Sequence, residues 1–162
     1  MNDNQGFRSA MSQFATGVTV ITTIDDQGEP HAMTANSFTS VCLDPPTVLV
    51  CVGHSTHTFG FLEKVGRFGV NILGQDQEAV GAYFALRPEA REGGVDYSYS
   101  VSGNGLPVLE NSMVFMSCEV IGAHVYGDHT VYLGEVKEVR QNEHAVKPLM
   151  FFRSRWYHPD GG

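Results

Sequence analysis

The residues between positions 34 and 40 could bind a flat, polar ligand through a row of small and hydroxyl side chains. They read Thr-Ala-Asn-Ser-Phe-Thr-Ser, within a stretch over 31–43 that has the composition of a β-strand. Side chains alternate along a strand, so every second residue of this run would present donors and acceptors on the same face. The small residues would let a ring approach the backbone. The alternative is an ordinary half-exposed strand with solvated hydroxyls.

A second run, Ser-Thr-His-Thr at 55–58, could bind phosphate because it opens a predicted helix over 54–66. The first N–H groups of a helix have no partner within it, and three hydroxyls add further donors. Simple capping by Ser55 or Thr56 is the alternative, and both roles can hold together. Gly66 is expected to end this helix.

The sequence Gly-Asp-His-Thr at 127–130 places His129 at a tight junction between two predicted strands. A histidine at the rim of a barrel could contact a bound ligand, and the alternative is a plain turn. The chain has seven histidines. No cysteine or acidic residue stands near them in the spacing of a zinc site, so we predict no metal site.

The elements that would position these residues are mostly strands. The chain lacks the strict alternation of strand and helix that builds a parallel sheet, and its strands are mostly joined as hairpins. This pattern favours a mainly β fold, a six-stranded antiparallel barrel with peripheral α-helices. Strands are predicted over 17–25, 31–43, 47–53, 67–73, 113–128 and 129–139, helices over 6–15, 54–66 and 75–86, a loop over 87–105, and a last strand or docked tail over 148–157.

Composition restricts the class of protein and its partners. The length of 162 residues suits a single domain over 1–162. A formal net charge of −8, without a cluster of basic residues, disfavours nucleic acid and anionic membrane surfaces as partners. The three cysteines have no close spacing and are expected to be free thiols. The first residues lack the apolar core of a signal peptide, and no apolar run has membrane-spanning length, so we expect a cytoplasmic protein.

A dinucleotide-binding fingerprint is missing from the chain. Gly-Asn-Gly at 103–105 is followed by Leu-Pro-Val, which neither opens a helix nor supplies the third glycine of G-x-G-x-x-G. A nicotinamide cofactor, if one is used, would therefore not bind to a Rossmann domain here.

Five stretches together resemble the short-chain flavin reductase family, also described as the flavin reductase-like, FMN-binding split-barrel family. In chain order they are FATGVTVITT (14–23), MTANSFTSVCLDPPTVLVCV (33–52), RFGVNILGQDQ (67–77), GLPVL (105–109) and GDHTVYLGEV (127–136). Each is weakly specific alone. TANSFTSV, LDPP, FGVNIL and GDHT in this order are highly specific, and the matches span nearly the whole chain.

The resemblance implies a split β-barrel that forms a homodimer, with flavin bound near the dimer interface. It implies hydride transfer from NADH or NADPH to FAD or FMN. Members serve as reductase components of two-component flavin monooxygenases, so the implied partner is a monooxygenase that receives reduced flavin by diffusion.

The resemblance also implies roles for individual residues of this chain. It places the isoalloxazine ring beside Thr34, Ala35, Asn36 and Ser37. It places the ribityl and phosphate part beside Ser40, Val41, Cys42 and Leu43, with Ser55 and Thr58 on phosphate. It places the nicotinamide against His129, which would orient that ring without acting as an acid or base.

The chain departs from the family pattern at several positions. Cys42 stands where serine is common, and because a thiol is a weaker donor, a backbone N–H would have to serve the phosphate. Ala32 replaces a frequent glycine. The segment 87–100 and the C-terminal RSRWYHPDGG match less well, and these regions are expected to set nucleotide choice and flavin affinity. Two other functions remain open: an oxidase with tightly bound flavin, and a non-catalytic flavin- or haem-binding module.

Overall fold

A computed structural model describes residues 4–142 and 147–159, and the fold is mainly β with three α-helices. The helices are α1 (Asn4–Ser12), α2 (His57–Val65) and α3 (Glu78–Ala85). The strands are β1 (Thr16–Gly17), β2 (Thr19–Ile24), β3 (Pro30–Ala35), β4 (Phe38–Leu43), β5 (Pro46–Gly53), β6 (Arg67–Ile72), β7 (Tyr99–Val101), β8 (Pro107–Leu109), β9 (Val114–Tyr126), β10 (His129–Gln141), β11 (Met150–Phe152) and β12 (Arg155–Tyr157).

Seven of these strands form one antiparallel sheet in the order β3-β2-β6-β9-β10-β5-β4. The six-stranded barrel predicted from the sequence is not confirmed. The predicted number of strands is wrong, because the predicted strand over 31–43 is divided into β3 and β4. Within residues 4–142 and 147–159, no hydrogen-bonded ladder joins β3 to β4 to close the sheet. The prediction of a mainly β, antiparallel fold is confirmed.

The predicted single strand over 31–43 is wrong, because the chain leaves the ladder between Ala35 and Phe38. The hydroxyl of Ser37 donates to the carbonyl of Cys51 at 2.9 Å, and the carbonyl of Ser37 accepts from the Cys51 N–H at 3.1 Å. These bonds hold the connection against β5, so that β3 and β4 lie at opposite ends of the sheet order. The alternation of faces expected through this run therefore stops at Asn36.

Helix α2 begins and ends at the predicted signals. Thr56 is its N-cap and accepts from the N–H of Phe59, while Gly66 ends the helix in the left-handed region with a φ of 66°. The N–H of Gly66 donates to the carbonyl of Leu62 at 2.9 Å. Leu62 is buried, so the amphipathic spacing that predicted the helix also packs it onto the sheet.

Two apolar clusters cover the two faces of β2, because successive strand residues point to opposite sides. Ile21 packs into one cluster with Leu62 of α2 and Phe68. Val20 packs into the other, with Phe84 of α3. Burial on both faces fixes where the two helices can lie, and it places the start of α2 and the end of α3 on either side of β3.

The peripheral segments differ in part from their predictions. The loop predicted over 87–105 contains a short 3₁₀ turn, Pro88–Ala90, and the strand Tyr99–Val101. The segment 148–157, predicted as a last strand or a docked tail, contains the two strands of the β11–β12 hairpin. Helix α1 is present but buries none of its residues, and Phe7 is 69% exposed. Within the described ranges, no helix has both the length and the apolarity needed to cross a membrane.

Candidate functional site

Three strand ends and the segment before α2 surround a cavity of about 470 Å³, which we call the main cavity. Here β3 ends at Ala35, β5 ends at Gly53 and β10 begins at His129. Antiparallel pairing of β5 with β10 puts His129 directly opposite Gly53. The predicted site residues that line the main cavity are Thr34, Ala35, Asn36, Ser37, Ser55 and His129.

The imidazole of His129 lies over the backbone of Gly53. A Cβ on Gly53 would be 3.4 Å from Nε2 and 3.7 Å from Cε1 of the ring, which is already van der Waals contact. Nδ1 of His129 lies 2.8 Å from Oδ1 of Asp128. The hydrogen bond to His129 lowers the pKa of the exposed Asp128 carboxyl, so that group is charged at neutral pH. Asp128 thus fixes the tilt of a half-exposed ring that borders the main cavity.

Two of the predicted ligand-binding hydroxyls are engaged with the backbone. The hydroxyl of Thr34 donates to the carbonyl of Gly81 in α3 at 2.7 Å. The hydroxyl of Ser37 donates to the carbonyl of Cys51. Each hydroxyl has one proton, so neither can donate to a ligand while these bonds persist. Their role in this arrangement is to hold the walls of the main cavity.

The side chains of Asn36 and Ser55 can donate to a ligand. Both residues are exposed, and within the part of the chain that the structure describes neither side chain makes a hydrogen bond. Ser55 directly precedes Thr56, whose hydroxyl satisfies only the N–H of Phe59, at 3.3 Å. The other N–H groups at the start of this nine-residue helix have no intrahelical partner, which favours an anion beside Ser55.

A second cavity of about 340 Å³ begins at the first turn of α2, and we call it the helix cavity. Thr58 lines it and is only 1% exposed, with its hydroxyl oxygen 2.9 Å from Nε2 of His31. Burial, with a further contribution from the charge of Arg91, lowers the pKa of His31 to about 4, so the ring is neutral at pH 7. The predicted phosphate contact Thr58 therefore borders the helix cavity, while Ser55 borders both cavities.

The remaining predicted residues lie on β4, outside the main cavity. Ser40, Val41, Cys42 and Leu43 are all exposed, and Leu43 is 92% exposed. β4 is the end strand of the sheet and pairs only with β5 among the described strands. The thiol of Cys42 donates to the carbonyl of Pro45 at 3.1 Å. Within a single chain, these four residues therefore lie apart from the predicted site residues that line the main cavity.

Sequence reasoning missed three residues of this region. Gly53 had no signal beyond its place at the end of an apolar run, because its role depends on the register with β10. His31 and Arg91 lie far apart in sequence and meet only through the packing of α3 and β3. The poor family match of the segment 87–100 was the one available signal, and it pointed to the segment rather than to Arg91.

Comparison with known proteins shows where this architecture occurs. Residues 11–159 match the model of the flavin reductase like domain. NADH-dependent flavin reductase StyB of Pseudomonas fluorescens is 38% identical over 156 residues, covering 96% of this chain and 89% of that protein. Flavin reductase (NADPH) of Lentzea aerocolonigenes is 43% identical over 145 residues, covering 89% of this chain and 83% of that one.

The fold is also found among solved structures. The structure described as flavin reductase PheA2 in its native state superposes with a TM-score of 0.88 at 38% identity, and the match covers 98% of this chain and 99% of that chain. The matched residues 11–159 include all the residues that line the main cavity. The chain belongs to the flavin reductase-like domain family.

Proposed function

We propose that this protein is an NAD(P)H:flavin oxidoreductase, which transfers a hydride from NADH or NADPH to FAD or FMN and supplies reduced flavin to a partner monooxygenase. The observation that carries this proposal is the imidazole of His129 over the bare backbone of Gly53, at the edge of the main cavity. The family membership supports the chemistry. The name of StyB specifies NADH, and the name of the relative from Lentzea aerocolonigenes specifies NADPH.

The residues of the main cavity fit a flavin. A planar ring needs a gap between strands that is free of large side chains, and the small side chain of Ala35 leaves one at the end of β3. Asn36 supplies a free amide for the polar edge of the ring. Bound flavin would supply the electron-accepting ring, so the protein needs only to bind and align the two partners.

The side chains have distinct roles in this mechanism. Ser55 and the first N–H groups of α2 would bind phosphate. Thr34 and Ser37 keep the cavity walls in place through their backbone hydrogen bonds. His129, held by Asp128, would orient the nicotinamide or its amide through a hydrogen bond, and hydride transfer requires no proton from it.

A turnover assay tests the proposed function. The purified protein is mixed with NADH or NADPH and with FMN or FAD, and loss of the nicotinamide absorbance band is followed. We expect oxidation with at least one nucleotide–flavin pair, and no oxidation with any of the four pairs would overturn the proposal. Dialysis of the same sample distinguishes two cases. A reductase that uses flavin as a substrate loses its flavin absorbance, whereas a protein with tightly bound flavin keeps it.

A matched pair of variants tests the role of His129. His129→Ala should lower kcat/KM for the nucleotide about tenfold, the effect of losing one hydrogen bond to a ligand. His124→Ala is the control, because His124 is an exposed histidine on the same hairpin, away from the residues that line the main cavity. Equal kinetics for the two variants would remove His129 from the site.

We further propose that a second copy of the chain completes the flavin site at β4. Among the described strands β4 pairs only with β5, and its open edge carries exposed apolar side chains, Val41 and Leu43. Exposed edges and apolar patches of this kind favour association. Leu43→Lys should give a monomer in light scattering that binds flavin weakly, whereas Val101→Lys, at a 60% exposed residue, should not.

The finer features of the fold belong to the same proposal. We propose that the seven-stranded sheet has the architecture of a split barrel. We also propose that residues 1–162 form one domain and that the protein is cytoplasmic. A single cooperative unfolding transition would support one domain, and two separate transitions would contradict it. Cell fractionation tests the location.

A further inference from the structure

A series of hydrogen-bonded side chains leads from the main cavity through the core to the surface of α2. His54 lines the main cavity, and its Nε2 atom lies 3.0 Å from the hydroxyl oxygen of Thr130. Thr130 is hydrogen-bonded to Tyr132, whose hydroxyl donates to Oε1 of the exposed Glu63 at 2.5 Å. We call these four residues the polar chain. The proposed hydride transfer uses none of them.

Strand β10 and helix α2 bring the members of the polar chain together. Thr130 and Tyr132 are two residues apart on β10, so their side chains lie on the same face of the strand. Both residues are only 1% exposed. Glu63 directly follows Leu62, which packs into the same apolar cluster as Tyr132. Buried hydroxyls are costly unless they are paired, and the polar chain supplies a partner to each of these two.

The protons of the polar chain can be arranged in only one direction. A carboxylate accepts and cannot donate, so Tyr132 gives its single hydroxyl proton to Glu63. Tyr132 must then accept from Thr130, and Thr130, having used its own proton, must accept from Nε2 of His54. Burial raises the pKa of Tyr132 and the hydrogen bond to Glu63 raises it further, so the phenol keeps its proton at neutral pH. Nε2 of His54 therefore carries a proton.

The other ring nitrogen of His54 is available to a ligand. Nδ1 makes no hydrogen bond to any residue within 4–142 and 147–159. In a neutral imidazole with its proton on Nε2, Nδ1 is an acceptor. The ring packs against Phe59, with centroids 4.6 Å apart, and the backbone N–H of His54 donates to the carbonyl of Asp128 at 2.9 Å. These contacts hold the imidazole beside the turn that carries His129.

We propose that the polar chain holds His54 in the tautomer with its proton on Nε2, so that Nδ1 accepts a hydrogen bond from a ligand in the main cavity. Glu63, Tyr132 and Thr130 are then positioning residues, and His54 is a binding residue. The ligand group is an N–H beside a carbonyl, which occurs in the imide of a flavin and in the carboxamide of nicotinamide. The inference rests on the proposed function only for the identity of this ligand.

Nitrogen NMR of the ligand-free protein, with isotope-labelled histidine, tests the tautomer at pH 8. The signals of His54 are those lost in His54→Gln. We expect wild type to show a proton on Nε2 alone. Tyr132→Phe interrupts the polar chain, and in Glu63→Gln the new amide can donate as well as accept, so both variants should show a mixture of tautomers. Tyr157→Phe, at a 51% exposed tyrosine outside the polar chain, is the control and should match wild type.

Two outcomes of this experiment would overturn the proposal. One is a proton on Nδ1 of His54 in wild type, and the other is the wild-type pattern in both Tyr132→Phe and Glu63→Gln. Tyr132 is a core residue, so thermal unfolding must show that its variant is folded. Glu63 is exposed, and Glu63→Gln therefore tests the polar chain with the core unchanged.

Ligand analogues that lack the N–H identify the group that Nδ1 binds. If it is the flavin imide, His54→Ala should weaken FMN about tenfold and leave N3-methyl-FMN unchanged. If it is the carboxamide, His54→Ala should raise the KM for NADH about tenfold and leave that for the reduced 3-acetylpyridine analogue unchanged. Wild-type affinities for both FMN and NADH in His54→Ala would overturn the role of His54.

The same samples distinguish this failure from failure of the proposed function. A protein that reduces flavin, and in which neither Tyr132→Phe nor Glu63→Gln alters the tautomer of His54, retains the reductase function and loses the polar chain as a positioning device. A protein in which both variants alter the tautomer, but which oxidises no nucleotide, retains the polar chain and loses the reductase function.

Discussion

The Nε2 atom of His31 lies 2.9 Å from the hydroxyl oxygen of Thr58, across the gap between β3 and the first turn of α2. A neutral imidazole can accept a proton from this hydroxyl or donate one to it, depending on the tautomer. With Nε2–H as donor, the Thr58 proton is free to face the helix cavity. His31 therefore connects β3, which borders the main cavity and the helix cavity, to the end of α2 that would bind an anion.

The free energy of unfolding should decrease as the pH is lowered, because the folded state favours the neutral form of His31. Its pKa is lowered from 6.5 to about 4, so between these values the unfolded chain binds more protons at this site than the folded chain does. The contribution of His31 is fully present above pH 6.5 and is lost as the pH falls toward 4. Urea unfolding at pH 7.5 and pH 4.5 should show a smaller loss for His31→Gln than for wild type. An identical loss in both proteins, or the same reduction for His124→Gln at an exposed histidine, would contradict this.

His129 and Gly53 should behave as one unit in a double-mutant cycle. Gly53→Val adds branched methyl groups where a Cβ alone is already 3.4 Å from Nε2, so the imidazole must tilt. We expect Gly53→Val to lower kcat/KM for the nucleotide about tenfold, as His129→Ala does. In the His129→Ala background the same change should have little further effect, because the ring it displaces is gone. Two effects that multiply would show independent roles. Gly53→Ala should be close to wild type.

Gly134 should tolerate no side chain, for a reason of space alone. A Cβ there would lie 2.5 Å from Cζ of Phe68 and 2.9 Å from Cβ of Cys118, both inside the core. Gly134→Ala should lower the free energy of unfolding by about 1–3 kcal/mol. The matched control is Gly60→Ala, on the exposed side of α2 with nothing within 4 Å, which should raise stability by about 0.5–1 kcal/mol. Equal changes in denaturation midpoint for the two variants would be inconsistent with this packing.

Asn71 should be a major source of stability, since it is fully buried and joins three strands. Its amide donates to the carbonyl of Val20 at 3.1 Å, and its side-chain oxygen accepts from the N–H of Leu109 at 2.9 Å. Asn71→Ala would remove these hydrogen bonds from the buried interior and should lower the free energy of unfolding by about 2–4 kcal/mol. Denaturant titration with an unchanged slope checks this. A loss below about 0.5 kcal/mol would mean that water replaces the amide.

Much of the fold followed from local pattern in the sequence. Thr56 and Gly66 predict both ends of α2 because capping needs only the helix itself. The long β9–β10 hairpin follows from two β-rich runs around a tight junction. The split between β3 and β4 did not follow, because it depends on Ser37 meeting the carbonyl of Cys51, a contact fourteen residues away in sequence.

The candidate site, like the fold, was predicted from the sequence only in part. The family resemblance implied that residues 34–37, Ser55, Thr58 and His129 belong to one site, whereas residue types and spacing had indicated only separate features. It placed Thr34 and Ser37 beside a ligand; both line the main cavity, and their hydroxyls donate to backbone carbonyls. A hydroxyl donates to whichever acceptor folding brings near, and sequence spacing does not show which acceptor that is.

By itself the sequence determined the family, the mainly β composition and the helix caps, because each depends on residues adjacent in the chain. The tertiary structure decided which strand ends meet, and thereby that His129 lies over Gly53 and that His31, Thr58 and Arg91 border one cavity. It also left Ser40, Val41, Cys42 and Leu43 on an exposed edge. The physical reason is register: pairing between distant strands sets which side chains are neighbours, and no local propensity specifies that pairing.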